Sequence, residues 1–131
     1  MAATFIRIAA LLGALSVGLG AFAAHGLRRL LDPALLATFE TGVRYQFYHV
    51  FALLAVGILL QRGNLRRKNL VRAGWSFVVG IGLFSCSLYL LALEQYVHLP
   101  AAVLGPITPL GGLAFIAGWV FLAFSLRLTK D

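Results

Sequence analysis

Four apolar runs, at residues 4–24, 42–61, 73–93 and 109–126, decide what this chain can fold into. A helix rises 1.5 Å per residue, so a run of about 20 residues crosses the roughly 30 Å hydrocarbon core of a bilayer. Hydrophobic residues make up 61% of the chain, against roughly 45–50% in soluble domains. A core built from 131 residues cannot hide that much apolar surface from water. The runs are similar in length and their connections are short. The expected fold is therefore all-α: one membrane domain, an antiparallel bundle of four transmembrane helices.

The charges orient the bundle. Lys and Arg number 11 against 4 Asp and Glu, for a net charge of +7. In a soluble protein that excess suggests nucleic acid. Here the bases lie in short loops between apolar runs, as membrane insertion requires, so no nucleic acid is expected as a partner. The connection 62–72 carries Arg62, Arg66, Arg67, Lys68 and Arg72 with no acid among them. Short basic loops stay in the cytoplasm, which places both termini there. Arg7, Arg127 and Lys130 then join the inner side, and only Arg28, Arg29 and Arg44 remain outside. The basic loop also suits contact with anionic lipid, although topology alone explains it equally well. The first run has features of a signal peptide, with Arg7 before it and Ala21-Phe22-Ala23 inside it. It is longer than the usual signal core of about 7–15 residues, so we read it as a span.

Local signals refine the spans. Arg7, Leu11, Ala14, Gly18, Ala21 and His25 form one helical stripe, whose small residues suit close helix packing. Asp32-Pro33 reads as an N-cap with proline at the first helical position. These signals allow either one unbroken helix from Pro33 through Gly42 or two separate ones. In the second span Glu40 and Arg44 form a charged rim, while Tyr45, Gln46 and His49 share the face continued by Ala52 and Val56. Trp75, Val78, Gly82, Ser85, Tyr89 and Ala92 make one stripe of the third span. Thr108-Pro109 reads as the cap and first turn of the fourth, where Ala114 and Gly118 form a small-residue pair. Cys86 is the only cysteine. It supports no disulfide framework and is expected to be a small buried residue.

The polar side chains that enter these spans are the candidate site. His25 ends the first, Tyr45, Gln46 and His49 open the second, Ser85 and Tyr89 lie in the third, and Thr108 starts the fourth. With both termini inside, they are expected to frame a small polar pocket in the outer-leaflet half. Ionisable groups at membrane depth are costly and mark function by default. His49 reads first as a neutral brace bonded to Tyr89, Ser85 or Gln46, and second as a ligand or proton relay. A cofactor held between His25 and His49 is a weaker reading. No further metal-ligand spacing accompanies the pair, so no cofactor and no metal are expected. Nucleophile elbows, phosphate loops, zinc signatures and paired carboxylates are absent, so no catalytic residue is assigned and a non-enzyme is expected. The leading reading is a membrane protein that binds a lipid, an amphiphile or a partner helix. Its partners would be membrane lipids and a second copy or another membrane protein. The alternative is a dimeric carrier coupled to protons through His49 or Glu94.

Four ordered motifs carry a resemblance. They are His25-Gly26-Leu27, Ala37 through His49 (ATFETGVRYQFYH), Leu83 through Tyr89 (LFSCSLY) and Gly105 through Gly112 (GPITPLGG). Together they resemble the domain-of-unknown-function family 423 of small bacterial inner-membrane proteins, which is related to the eukaryotic transmembrane protein 256. The resemblance covers essentially the whole chain. It implies a multi-pass protein of the cell inner membrane and supplies no activity. Family members often carry Gly at the place of Cys86 and Ala at the place of Gly42, both small-for-small exchanges.

Overall fold

The computed structural model describes residues 1–62 and 65–126. Arg127 and Lys130, counted on the basic side, lie outside the described residues. Four helices are long and apolar enough to cross a membrane, and each begins ahead of its apolar run. Helix α1 covers Ala2–His25, and a 3-10 turn comes next at Leu27–Arg29. Helix α2 is one unbroken helix, Pro33–Leu59. Its N-terminus is set by Asp32, whose Oδ1 accepts from the Ala34 and Leu35 N–H groups at 2.9 and 3.2 Å. Pro33 at the first position loses nothing, because its missing N–H would have had no helical partner. At about 40 Å, α2 is longer than the hydrocarbon core, so its first turns project beyond the core.

The third span, Arg67–Ala92, is interrupted. Helix α3 (Arg67–Gly80) passes through a π turn at Ile81–Ser85 into α4 (Cys86–Ala92), and the Cys86 N–H reaches back five residues to Ile81 O. The π turn adds a residue to the local repeat and rotates the helix beyond it. The stripe expected from Trp75 to Ala92 is therefore not one face. It begins exposed at Trp75 and Gly82 and ends buried at Ser85 and Ala92. Two single-turn helices, α5 (Glu94–Val97) and α6 (Ala101–Leu104), lead to α7 (Ile107–Ala123). Helix α7 begins one residue before Thr108, and Pro106 precedes it with no side-chain cap. Thr108 is thus a helical residue and not the cap.

The antiparallel bundle is uneven. Helix α1 lies along α2, α7 lies along α3, and α2 packs on the third span. Half of the apolar window of α2 is buried, against 17% in the first and fourth spans. So α2 and the third span form the centre, with α1 and α7 laid on opposite flanks. The stripe of α1 from Arg7 to His25 faces away from the bundle, contrary to its expected packing role, and α1 docks through Phe5, Ala9, Ser16 and Ala23 instead. Lipid tails are as apolar as these side chains, so the fit rests on close approach more than on hydrophobic burial. Rings lie over glycines to achieve it. A Cβ on Gly42 would come within 2.7 Å of the Tyr89 ring, and one on Gly118 within 2.6 Å of the Phe77 ring.

Apolar side chains form two clusters. One, near the basic loop, joins Phe5, Leu53, Val56, Leu70, Phe77 and Phe115. The other, at the far end, joins Ala23, Leu27, Phe39, Val43 and Ala92. Between them, at mid-helix, sit buried Ser16, Gln46, His49 and Ser85. This polar layer positions the site.

Candidate functional site

Gln46 and His49 are nearly a helical turn apart on α2 and both are buried, but they turn to different neighbours. The Gln46 amide donates from Nε2 to Leu12 O on α1 at 3.1 Å and accepts at Oε1 from the Tyr89 hydroxyl at 2.8 Å. Leu12 O also accepts from Ser16 Oγ at 2.8 Å. One amide thus ties three spans together. In a membrane such bonds hold helices because neither partner has water to fall back on.

His49 turns toward α7. Trp119 donates its indole N–H to His49 Nε2 at 3.2 Å. An indole can only donate, so Nε2 must carry the lone pair, and Nδ1 must carry the proton. That Nδ1–H lies 2.7 Å from Tyr45 O and donates to it. Both ring nitrogens are occupied in the neutral form. The imidazole also stacks on Phe115, with centroids 3.4 Å apart and planes within 5°. Phe77 packs edge-on against Trp119 at 5.3 Å, and Tyr45 lies against Phe84 at 4.7 Å. A wall of rings results, held largely by tilted and edge-to-face contacts of the kind their quadrupoles favour.

These rings line a cleft of about 580 Å³ between α2 and α7, with Tyr45, Tyr48, His49, Phe84, Phe115 and Trp119 on its walls. Gly112 leaves its floor open, since a Cβ there would meet only the Phe84 ring edge at 4.0 Å. A second groove, of about 500 Å³, runs between α1 and the third span, past Gln46 and Tyr89.

The seven expected site residues therefore do not converge on one pocket. Tyr45 and His49 face the aromatic cleft, while Gln46 and Tyr89 face the groove on the other side of α2. Ser85 is buried within the π turn, and its Oγ is the buried side-chain atom left without a hydrogen-bond partner among the described residues. Thr108 belongs to neither cavity. Its hydroxyl lies 2.7 Å from Ser87 Oγ. Because Ser87 donates to Phe84 O at 2.9 Å, Thr108 is the donor of the pair. His25 is exposed at the end of α1 and is not brought to His49. Among the described residues no three His, Cys, Asp or Glu side chains stand close enough to share a metal ion. Cys86, expected to be buried, is exposed on the third span.

Depth and character also differ from expectation. His49 lies about 24 Å from the Pro33 end of α2 and about 15 Å from its Leu59 end, at 1.5 Å per residue. Its partner Phe115 sits midway along α7. The cleft is at mid-helix, not near the end opposite the basic loop, and its walls are aromatic rather than polar. The partners expected for His49 were Tyr89, Ser85 or Gln46. The actual ones, Phe115 and Trp119, come from the last span. The signal that points to them is a pair of rings four residues apart, with a tryptophan inside the span and not at its margin, where tryptophans usually sit.

A family described as "Protein of unknown function (DUF423)" matches residues 19–112. The chain is similar to a UPF0382 membrane protein of Staphylococcus haemolyticus, 43% identical over 92% of this chain and 93% of the relative. It is 42% identical to the UPF0382 membrane protein YwdK of Bacillus subtilis, over 90% of this chain and 91% of the relative. A UPF0382 membrane protein of the fission yeast Schizosaccharomyces pombe is 40% identical over 88% of this chain and 95% of its own length. No solved structure matches.

Proposed function

The chain belongs to the DUF423 family of membrane proteins, and from that premise we propose that it is a non-enzymatic protein that binds a small amphiphile of the bilayer in its aromatic cleft. The observation that carries this reading is the cleft itself: about 580 Å³ walled by rings, with its one imidazole closed by two hydrogen bonds. A doubly bonded neutral histidine is a brace and offers neither a free base nor a free ligand atom. Apolar ring surface stays available, with the exposed phenols of Tyr45 and Tyr48 beside it. That combination suits a ligand with an apolar body and a hydrogen-bonding head. Gln46, Tyr89 and Thr108 then hold the fold through their hydrogen bonds, and neither they nor His25 and Ser85 touch the ligand.

The cleft is tested by filling it. Gly112→Leu adds bulk where the structure has room. Native mass spectrometry of the detergent-extracted protein is expected to show a defined small molecule on the wild type and none on Gly112→Leu. Equal occupancy of the two, or a wild type with no bound molecule, ends the proposal.

We also propose that the basic loop faces the cytoplasm of a bacterial inner membrane, with both termini on that side. Alkaline phosphatase fused after His98 should then be active, and fused after Leu65 inactive. The reverse pattern inverts the topology.

A further inference from the structure

The lipid-facing side of the third span carries a second feature, separate from the aromatic cleft. Lys68, Arg72, Trp75 and Val79 recur every three or four residues and are all exposed. They descend from the start of α3 in the order base, base, interfacial ring, aliphatic. Gly82 and Cys86 continue the exposed line below them.

Two cavities lie along this line. At the top, Arg67, Lys68, Val71 and Arg72 surround a depression of about 650 Å³. Below it, the groove of about 500 Å³ between α1 and the third span is lined by Leu12, Leu15, Val78, Gly82 and Cys86. A Cβ on Gly82 would touch nothing within 4 Å, so the glycine keeps the groove open without serving any contact inside the bundle. From Arg72 to Gly82 is about 15 Å along a helix, within reach of one acyl chain.

The basic end is held in place. The Arg66 N–H donates to Ser125 O at 2.9 Å, and Asn69 Nδ2 donates to Phe124 O at 2.9 Å, which joins the start of α3 to the end of α7. The Arg72 guanidinium sits 5.7 Å from the Phe121 ring centroid, a cation–π contact that limits where it can swing. The chain has no acid between Glu40 and Glu94 to neutralise these bases from within the same stretch. Topology alone requires a basic loop. It does not require the bases to share one exposed line of the third span with Gly82 and Cys86, which border an open apolar groove.

We propose that this strip is a binding site for one anionic phospholipid of the leaflet on the basic-loop side. The phosphate sits among Arg67, Lys68 and Arg72, its glycerol level lies beside Trp75, and one acyl chain runs over Val79 into the groove at Gly82. Charge at one end and apolar groove at the other select an amphiphile over inorganic phosphate, and the bases select an anionic head over a zwitterionic one.

The test uses the full chain in micelles doped equally with phosphatidylglycerol and phosphatidylcholine of the same chain length, with bound lipid read by native mass spectrometry. The wild type should retain phosphatidylglycerol in preference, and millimolar inorganic phosphate should not displace it. Lys68→Gln with Arg72→Gln should weaken that preference on the order of tenfold, since each base near the surface contributes to anionic-lipid affinity. Gly82→Leu should lower occupancy by both lipids. The control pair, Arg28→Gln with Arg29→Gln in the other loop, removes the same net charge and should change nothing. Equal retention of the two lipids by the wild type, displacement by free phosphate, or an equal loss in the control pair overturns the site. If Gly82→Leu does not fold, the charge pair still decides, because both of its side chains are exposed.

Discussion

Gln46 and His49 stand three residues apart on α2 and secure opposite flanks of the bundle by different physics. On the Gln46 side the helices approach closely, α1 lies along α2, and the contact is completed by directional bonds to Leu12 O and the Tyr89 hydroxyl. On the His49 side, rings bridge from α2 to α7: Phe115 face to face with the imidazole, and Trp119 edge-on with one hydrogen bond. Beside that bonded seam, between α1 and the third span, lies a groove of about 500 Å³ walled mainly by aliphatic side chains. A seam propped open by rings leaves a cleft. The binding reading thus belongs to the His49 flank because of how that flank is built, and not because histidine is the more reactive residue.

Removing the ring bridge is the largest expected perturbation. Phe115 is buried, lies over Gly80 and stacks on His49. Phe115→Ala should destabilise the protein by about 3–5 kcal/mol, the range for removing a buried ring. Denaturant titration in mixed micelles measures it. An unchanged midpoint would mean that α7 is held without the stack. The Gln46 flank should respond less, and in a paired manner. Gln46→Leu strands the Tyr89 hydroxyl in an apolar setting and should cost about 1–3 kcal/mol. Adding Tyr89→Phe removes the stranded donor and should restore part of that loss. A double variant no better than Gln46→Leu alone would show that the Tyr89 bond carries none of the seam. At the small end, His25→Ala alters an exposed side chain at the end of α1. Its effect should stay within about 0.5 kcal/mol, as for ordinary surface changes. A larger shift would return His25 to the site.

Much of the frame was legible in the sequence because its causes are local. Asp32-Pro33 begins a helix through effects on its nearest neighbours: the carboxylate and the missing proline N–H act on the next few residues only. That Gln46 and His49 lie within a span followed from the apolar residues around them, though the structure puts them at mid-helix and not near its outer end. Other features depend on partners far along the chain. His49 and Trp119 are 70 residues apart, and nothing near His49 announces an indole. The expected stripe of the third span drifted because one extra residue in the π turn rotates Ser85 and Tyr89 away from the face of Trp75. The pairing of Thr108 with Ser87 was hidden by proline, which made the same residue look like a cap.

Contiguous residues were enough to specify four apolar helices with one strongly basic connection, because hydropathy, length and capping are read along the chain. Which side of α2 each polar group serves was settled only when the helices packed. That choice depends on the rotation of each helix against its neighbours, which is set where rings settle over glycines: Tyr89 over Gly42, Phe77 over Gly118 and Phe115 over Gly80. Those contacts divide one expected polar pocket into a bonded seam and an aromatic cleft.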